Sequence, residues 1–123
     1  MAAAADEVRR RVNGDTVTYV VNRNINFTNR CVHRCGFCAF SRGVGEASPE
    51  GFSMTADEVA REAAAASAAG ASEVCLQGGI HSAVTGGFYA DLVAAVRSAA
   101  PGLHIHAFSP QEVWHGARNL GVA

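Results

Sequence analysis

The sequence contains no lysine: all ten basic residues are arginines, and eleven acidic residues leave a net charge of −1. Without a surplus of positive charge, the chain has no electrostatic footprint for nucleic acid. It also lacks an apolar run of the ~20 residues that a membrane-spanning helix needs. Charged residues make up 17% and hydrophobic residues 49%, which excludes intrinsic disorder. With 123 residues, the chain is long enough for one small domain.

The start of the chain lacks the features of a targeting segment. The stretch Met1–Arg11 is too polar for a secretory signal, and it carries two acids, which a transit peptide avoids. We expect a helical lead-in over residues 1–15 and a folded core over residues 16–123. The expected compartment is reducing, and therefore the cytoplasm, with an organelle as the open alternative. In such a compartment, four cysteines are expected to be metal ligands or core thiols rather than disulfides.

Segments rich in β-branched residues alternate with segments of helical pattern. The expected strands are Thr16–Phe27, Ser72–Gln77 and Leu103–Phe108. The expected helices begin at a capping box formed by Thr55 and Glu58, near Gly87, and at Ser109-Pro110. A polar loop from Thr28 to about Pro49 follows the first strand. This order predicts right-handed βαβ units, and hence an α/β fold with a parallel sheet.

Each expected strand has one polar face, although strands of an ordinary parallel sheet are apolar on both faces. By alternation, the polar faces carry Asn22, Asn24 and Asn26 on the first strand, Glu73, Cys75 and Gln77 on the second, and His104, His106 and Phe108 on the third. Three strands cannot close a barrel, which needs eight strands and ~250 residues. The chain is thus either a small open sheet or the N-terminal part of a (β/α) barrel, incomplete at about three βα units. A polar, ligand-holding lumen favours the barrel.

The sharpest motif lies in the loop after the first strand, where Cys31, Cys35 and Cys38 have the spacing C-x3-C-x2-C. Thiolates are soft ligands that suit iron–sulfur clusters or zinc. Three cysteines on a 4Fe-4S cluster would leave one iron open for a substrate or cofactor. Gly36 is expected to let the backbone turn tightly between the ligands, and Phe37 to shield the cluster from water.

Two other metal sites are compatible with these residues. A structural zinc site would need a fourth ligand, with His33 or His81 as the candidates. A closed electron-transfer cluster would need Cys75 as its fourth ligand, but Cys75 lies in the middle of a strand, where a thiol usually serves as a small apolar side chain.

The cysteine motif, with an aromatic residue before its last cysteine, resembles the signature of radical S-adenosylmethionine (SAM) enzymes. The wider strings resemble the tyrosine-using, 4-hydroxyphenyl transferase half of the FO synthase family of deazaflavin biosynthesis. These strings are Asn22–Asn29, Cys38–Arg42, Leu76–His81 and His104–Ser109. The resemblance implies a (β/α) barrel in which Cys31, Cys35 and Cys38 hold a 4Fe-4S cluster, whose open iron binds SAM.

The same resemblance assigns part of the SAM site. Gly78 and Gly79 take the place of a Gly-Gly-Glu motif at the end of the second strand, where backbone groups contact the methionine amino group. Ile80 replaces the glutamate, and Ser82 stands where a proline is expected. Gln77, beside Gly78, is a further candidate cofactor contact.

The implied reaction uses SAM-derived radical chemistry to break the Cα–Cβ bond of L-tyrosine and to add the 4-hydroxybenzyl fragment to an amino(ribitylamino)uracil. A partner half, fused or separate, would close the deazaflavin ring, and an electron donor would reduce the cluster. Arg30, Arg34 and Arg42 could steer an acidic donor, although a solubilising role is the default expectation. The alternative functions are a radical SAM enzyme of the futalosine pathway to menaquinone and a non-enzymatic iron–sulfur or zinc module.

Four side chains are candidate substrate contacts: Asn26, His81, His104 and His106. The competing interpretation is that these groups only satisfy neighbouring polar atoms. We expect Asn24 to be structural and Trp114 to lie in the core. Because a third strand at an open edge would leave the substrate cavity incomplete, we expect the chain alone to be unstable and inactive.

Overall fold

The computed structural model describes residues 1–45 and 49–122. Its helices are α1 (Ala2–Asn13), α2 (Ala56–Ala68), α3 (Gly86–Ala99) and α4 (Pro110–Leu120). Its strands are β1 (Asn22–Thr28), β2 (Glu73–Gly78) and β3 (His104–His106). No helix of the described residues is long and apolar enough to cross a membrane.

The three strands form one parallel sheet in the order β1-β2-β3. Asn24 lies opposite Cys75, and Val74 lies opposite Ile105. The predicted α/β fold with a parallel sheet is confirmed. Over the described residues the sheet is open, and its continuation into a barrel stays a prediction.

Helix starts follow the side-chain chemistry that the sequence indicates. Thr55 and Ser109 each form a complete capping box with the glutamate three residues later. The hydroxyl of Thr85 accepts a hydrogen bond from the backbone N–H of Phe88 at 3.2 Å and begins α3. Gly70, at φ +91°, ends α2 in a conformation that residues with a Cβ rarely adopt.

The core lies between one face of the sheet and helices α2 and α3. Ile25, Phe27, Val74 and Leu76 point to this side and are buried, together with Val59, Leu92 and Val96 from the helices. On the opposite face, Asn22, Asn24, His104 and His106 are exposed, and Glu73 and Cys75 are half-buried. The predicted alternation of apolar and polar faces is confirmed for β1, β2 and the short β3.

The first strand is shorter than predicted, because it begins at Asn22 and not at Thr16. Its neighbour β2 begins directly opposite, at Glu73, whose N–H reaches the carbonyl of Val21 at 3.3 Å, and no strand of the described chain pairs with residues 16–20. Val17 and Tyr19 are 82% and 85% exposed. β-branched composition was therefore not sufficient to form a strand over residues 16–21.

Two aromatic predictions are wrong. Phe108 does not share the polar face with the histidines: β3 ends at His106, and the Phe108 ring packs on the core side against Tyr89, with 4.7 Å between ring centroids. Trp114 is 53% exposed on α4, and the guanidinium of Arg118 covers its ring at 4.9 Å. Helix α1 is the predicted helical lead-in, and none of its residues is buried.

Candidate functional site

The cysteine loop is anchored on the carboxyl ends of two strands. Its ends are joined because Cys31 N–H donates to the carbonyl of Arg42 (2.9 Å) and Arg42 N–H donates to that of Asn29 (2.7 Å). Val32 N–H donates to the carbonyl of Ile80, just beyond β2, at 2.9 Å. These bonds hold Cys31 where β1 and β2 end, the edge at which parallel α/β folds place their ligands.

Two arginines of the loop, Arg30 and Arg42, have a structural role that the sequence did not indicate. Arg42 donates to the carbonyls of Ala39, Phe40 and Ser41 and pairs with Glu50 at 2.8 Å. Arg30 donates to the carbonyls of Gly45 and Gly51. Each guanidinium satisfies several carbonyls at once and so closes the loop on itself.

A cavity of about 410 Å³ opens beside the loop. It is lined by Asn24, Asn26, Asn29, Cys31, Cys38, Phe40, Ser41, Gln77, Gly78 and Gly79. Two of the three motif cysteines thus share a cavity with four residues that the sequence suggested for cofactor or substrate: Asn26, Gln77, Gly78 and Gly79. Cys35 and Phe37 are exposed and do not line it, and Phe37, 93% exposed, covers nothing in this structure.

Both glycines of the cavity wall lack room for a side chain. A Cβ on Gly78 would lie 2.3 Å from the ring of Phe27, and one on Gly79 would lie 2.1 Å from the carbonyl oxygen of Arg30 and 2.9 Å from the Cβ of Cys31. The cysteine loop therefore packs directly on the end of β2. This close approach explains why glycine occupies both positions.

Backbone geometry favours the thiolate at one motif position. Hydrogen bonds from the backbone N–H groups of Ser41 and Phe40 lower the pKa of the Cys38 thiol. Burial raises the pKa of Cys75, in the middle of β2, which does not line the cavity. The thiolate is the form that ligates metal. The opposite pKa shifts therefore make Cys38 of the motif a better metal ligand than Cys75 of the strand.

Across residues 1–45 and 49–122, no three His, Cys, Asp or Glu side chains are close enough to hold a metal ion. The loop nevertheless fits an iron–sulfur group by its chemistry: it offers soft thiols, one with a lowered pKa, beside a cavity walled by two glycines. The positive φ within the motif falls on Arg34 (42°) and not on Gly36. The tight turn between ligands nevertheless lies at Gly36, as expected: Cys38 N–H donates to the carbonyl of Cys35 at 2.9 Å, which places Gly36 and Phe37 at the centre of the turn.

His81 lies away from this cavity. It lines a separate cavity of about 250 Å³ between β1, the segment that leads into α2, and the start of α3, with mainly apolar neighbours such as Phe27, Met54 and Phe88. Burial lowers its pKa, its Nδ1 accepts a hydrogen bond from Ala83 N–H at 3.4 Å, and its Nε2 is buried without a partner in the described structure. The structure therefore separates His81 from the other candidate residues.

His104 and His106 lie on the polar face of the sheet, level with Glu73 and Cys75 of β2, and neither lines the cavity beside the cysteine loop. Glu73 lies between them: Nδ1 of His104 is 2.7 Å from one carboxylate oxygen, and Nδ1 of His106 is 3.9 Å from the other. The amide of Asn22 also donates a hydrogen bond to Glu73, at 2.6 Å. These contacts match the competing interpretation, in which the two histidines satisfy neighbouring polar groups.

Sequence reasoning left aside several residues of the cavity. Asn24, expected to be structural, lines it, as do Phe40 and Ser41 of the loop. The sequence reasoning also missed Glu112, whose buried carboxylate accepts a hydrogen bond from Gly78 N–H at 3.0 Å. The sequence placed Glu112 in the first turn of the helix that begins at Ser109, but no sequence signal indicated a contact 34 residues away.

Known proteins are similar to this chain over most or all of its length. FO synthase of Mycobacterium tuberculosis is 50% identical over 123 residues, which are 100% of this chain and 14% of that protein. FO synthase of Streptomyces coelicolor is 48% identical over the same span, again 14% of its length. The 5-amino-6-(D-ribitylamino)uracil--L-tyrosine 4-hydroxyphenyl transferase of Methanopyrus kandleri is 48% identical over 118 residues, 96% of this chain and 31% of that enzyme.

The chain therefore spans less than a third of each of these relatives. Residues 25–114 match the family described as the radical SAM superfamily. This match includes all three motif cysteines and both glycines of the cavity wall. It also includes β2, β3 and all of β1 except its first three residues. The chain belongs to the radical SAM superfamily.

Proposed function

We propose that this chain forms part of a radical SAM enzyme that transfers the 4-hydroxybenzyl group of L-tyrosine to an amino(ribitylamino)uracil in deazaflavin biosynthesis. One observation carries the proposal: Cys31 and Cys38 share a cavity with the glycine pair at the end of β2. The names of relatives about 50% identical to the chain supply the substrates.

In this proposal Cys31, Cys35 and Cys38 hold a 4Fe-4S cluster, and the Gly78–Gly79 wall receives SAM. When bound, this pair of cofactors supplies a one-electron reductive cleavage that yields an organic radical. The protein contributes the rest. Backbone bonds to Arg42 and Ile80 hold the loop against β2, and the amides of Asn24, Asn26 and Gln77 offer hydrogen bonds to a polar ligand.

The experiment uses the protein as expressed from its native gene, reconstituted anaerobically with iron and sulfide. We expect four irons per chain, and a change in the spectrum of the reduced cluster when SAM is added. Cys31→Ala, Cys35→Ala and Cys38→Ala should each lose the cluster. Cys75→Ala is the matched control and should keep it, because Cys75 lies in the middle of β2, outside the cysteine loop.

Three outcomes would overturn the proposal. A colourless protein with one zinc would indicate a zinc module, and a cluster lost in Cys75→Ala would indicate a closed four-cysteine site. A protein that cleaves SAM but shows no dependence on L-tyrosine would indicate another radical SAM reaction, such as that of the futalosine pathway.

The relatives also bear on partners. The segment aligned with this chain makes up 14% of the FO synthases and 31% of the Methanopyrus transferase, so the FO synthases are more than twice as long as the transferase. The extra length of the FO synthases is consistent with a fused second activity, which we propose is the ring-closing half. An electron donor must also reach the cluster, in a reducing compartment such as the cytoplasm, where the thiols stay free for ligation.

We also propose that the 123 residues alone are inactive. Within the described structure, β3 pairs only with β2, so its outer edge offers unpaired backbone groups. Of the residues that the structure describes, those of β1, β2 and the cysteine loop wall the cavity. Turnover of tyrosine by the isolated chain, with a cooperative melting transition, would contradict this proposal.

A further inference from the structure

Glu112, at the start of α4, is a carboxylate that is only 2% exposed. One of its oxygens accepts a hydrogen bond from Ser109 N–H at 2.8 Å and thereby completes the capping box of α4. The other oxygen accepts from the N–H of Gly78, the last residue of β2, at 3.0 Å. A single side chain therefore joins the start of α4 to the end of the central strand.

The capping box of α2 shows what capping alone requires. Glu58 occupies the same third helical position and also returns to its cap, with 2.7 Å from its carboxylate to Thr55 N–H. Yet Glu58 is exposed, and among the described residues its carboxylate is hydrogen-bonded only to Thr55. Burying a carboxylate is costly unless its oxygens are paired, so the burial of Glu112 is explained by its second bond, to Gly78.

Gly78 lies where a small displacement changes the cavity. The ring of Phe27 occupies the position of its missing side chain on one side, and the next residue, Gly79, packs on the Arg30 carbonyl. Both glycines line the cavity that contains Cys31. Without the bond to Glu112, the Gly78 N–H would lose its partner in a partly buried place, and this wall would lose its attachment to α4.

We propose that Glu112 is a positioning residue, which holds the Gly78–Gly79 wall in the conformation that receives the amino-acid end of SAM. The inference rests on the proposed function, since that function names the ligand of the wall. Glu112 itself does not line the cavity. It acts through the backbone of Gly78.

The test compares Glu112→Gln and Glu112→Ala with the matched variants Glu58→Gln and Glu58→Ala in the protein expressed from its native gene. A glutamine at 112 keeps the volume but has one acceptor oxygen where the native carboxylate has two, so it can satisfy Gly78 or Ser109 but not both. The glutamine variant also keeps the test valid if the alanine variant fails to fold.

Two measurements are needed. The first is hydrogen–deuterium exchange of the metal-free protein in the segment 73–80, which should be faster in both Glu112 variants and unchanged in both Glu58 variants. The second is the dissociation constant of SAM on the reconstituted protein. It should rise about tenfold in Glu112→Gln, the effect of losing one charge-assisted hydrogen bond, and stay within twofold in Glu58→Gln, with the iron content equal in both.

The outcomes distinguish the two levels of the argument. If wild type binds SAM and Glu112→Gln binds it equally well, or if the exchange of 73–80 does not change, the positioning role is overturned and the proposed function stands. If wild type binds no SAM, the proposed function fails and the wall loses its assigned ligand, whatever the exchange shows.

Discussion

Replacing Gly79 by alanine should displace the cysteine loop. The new Cβ would lie 2.1 Å from the carbonyl oxygen and 2.6 Å from the carbonyl carbon of Arg30, and 2.9 Å from the Cβ of Cys31. Since ordinary carbon contacts need roughly 3.5 Å, the loop must retreat by roughly 1 Å. Two of these three atoms are backbone, so a rotamer change cannot relieve the overlap.

The expected cost follows from what the retreat breaks. Overpacking in a well-packed region costs about 1–3 kcal/mol. The shift also strains the bond from Gly79 N–H to the carbonyl of Thr28 (2.8 Å) and the bond from Val32 N–H to that of Ile80 (2.9 Å). We therefore expect Gly79→Ala to lower the free energy of unfolding by about 3 kcal/mol, at the upper end of that range.

The assay is urea unfolding of the metal-free protein, combined with iron content after reconstitution. Gly36→Ala is the control, because a Cβ at Gly36 meets no atom within 4 Å and its φ is not positive. This control should change stability by less than about 0.5 kcal/mol. If Gly79→Ala proves as stable as Gly36→Ala and takes up the same amount of iron, the close packing of the loop on β2 is refuted.

Three further predictions test other parts of the structure. In the metal-free protein at pH 8, limiting iodoacetamide should modify Cys38 before Cys75, since backbone hydrogen bonds lower the pKa of Cys38 and burial raises that of Cys75; mass spectrometry showing the reverse order would contradict this. The hydrogen bond from His104 lowers the pKa of Glu73 below its ordinary value of 4.5, so this carboxylate stabilises the fold above that pH and loses its effect as the pH falls through the lowered value. Urea titrations should therefore show the advantage of wild type over Glu73→Gln at pH 7 and its decline below pH 4.5; a constant difference would contradict it. Tyr89→Phe removes a buried hydroxyl that has no hydrogen-bond partner within the described residues. The free energy of unfolding in urea should therefore stay equal or rise by up to about 1 kcal/mol, and a clear decrease would contradict the absence of a partner.

Much of the fold could be predicted because it depends on neighbours in the sequence. The capping box at Thr55 and the N-cap at Ser109 use groups three residues apart, and the alternation along β1 and β2 follows from the two-residue period of a strand. The cysteine spacing likewise brought Cys31 and Cys38 to one loop. For these features local chemistry was sufficient.

Strand ends were less predictable, because a strand needs a partner. Residues 16–20 have the composition of a strand, yet β2 begins opposite Asn22 and no strand of the described chain pairs with them. Phe108 continues the alternating pattern past His106, but pairing ends there and its ring joins the core.

The sequence by itself determined the order of the elements, the polar face of the sheet and the residues able to ligate metal, since short-range geometry and hydrophobic periodicity decide them. The tertiary structure alone decided which of these residues meet. The tertiary structure placed the cysteine loop against Gly79, directed the side chain of His81 to a separate cavity and joined Glu112 to Gly78 by a hydrogen bond. Such contacts connect positions tens of residues apart, and their partners are set by how the helices and strands pack, which no local pattern records.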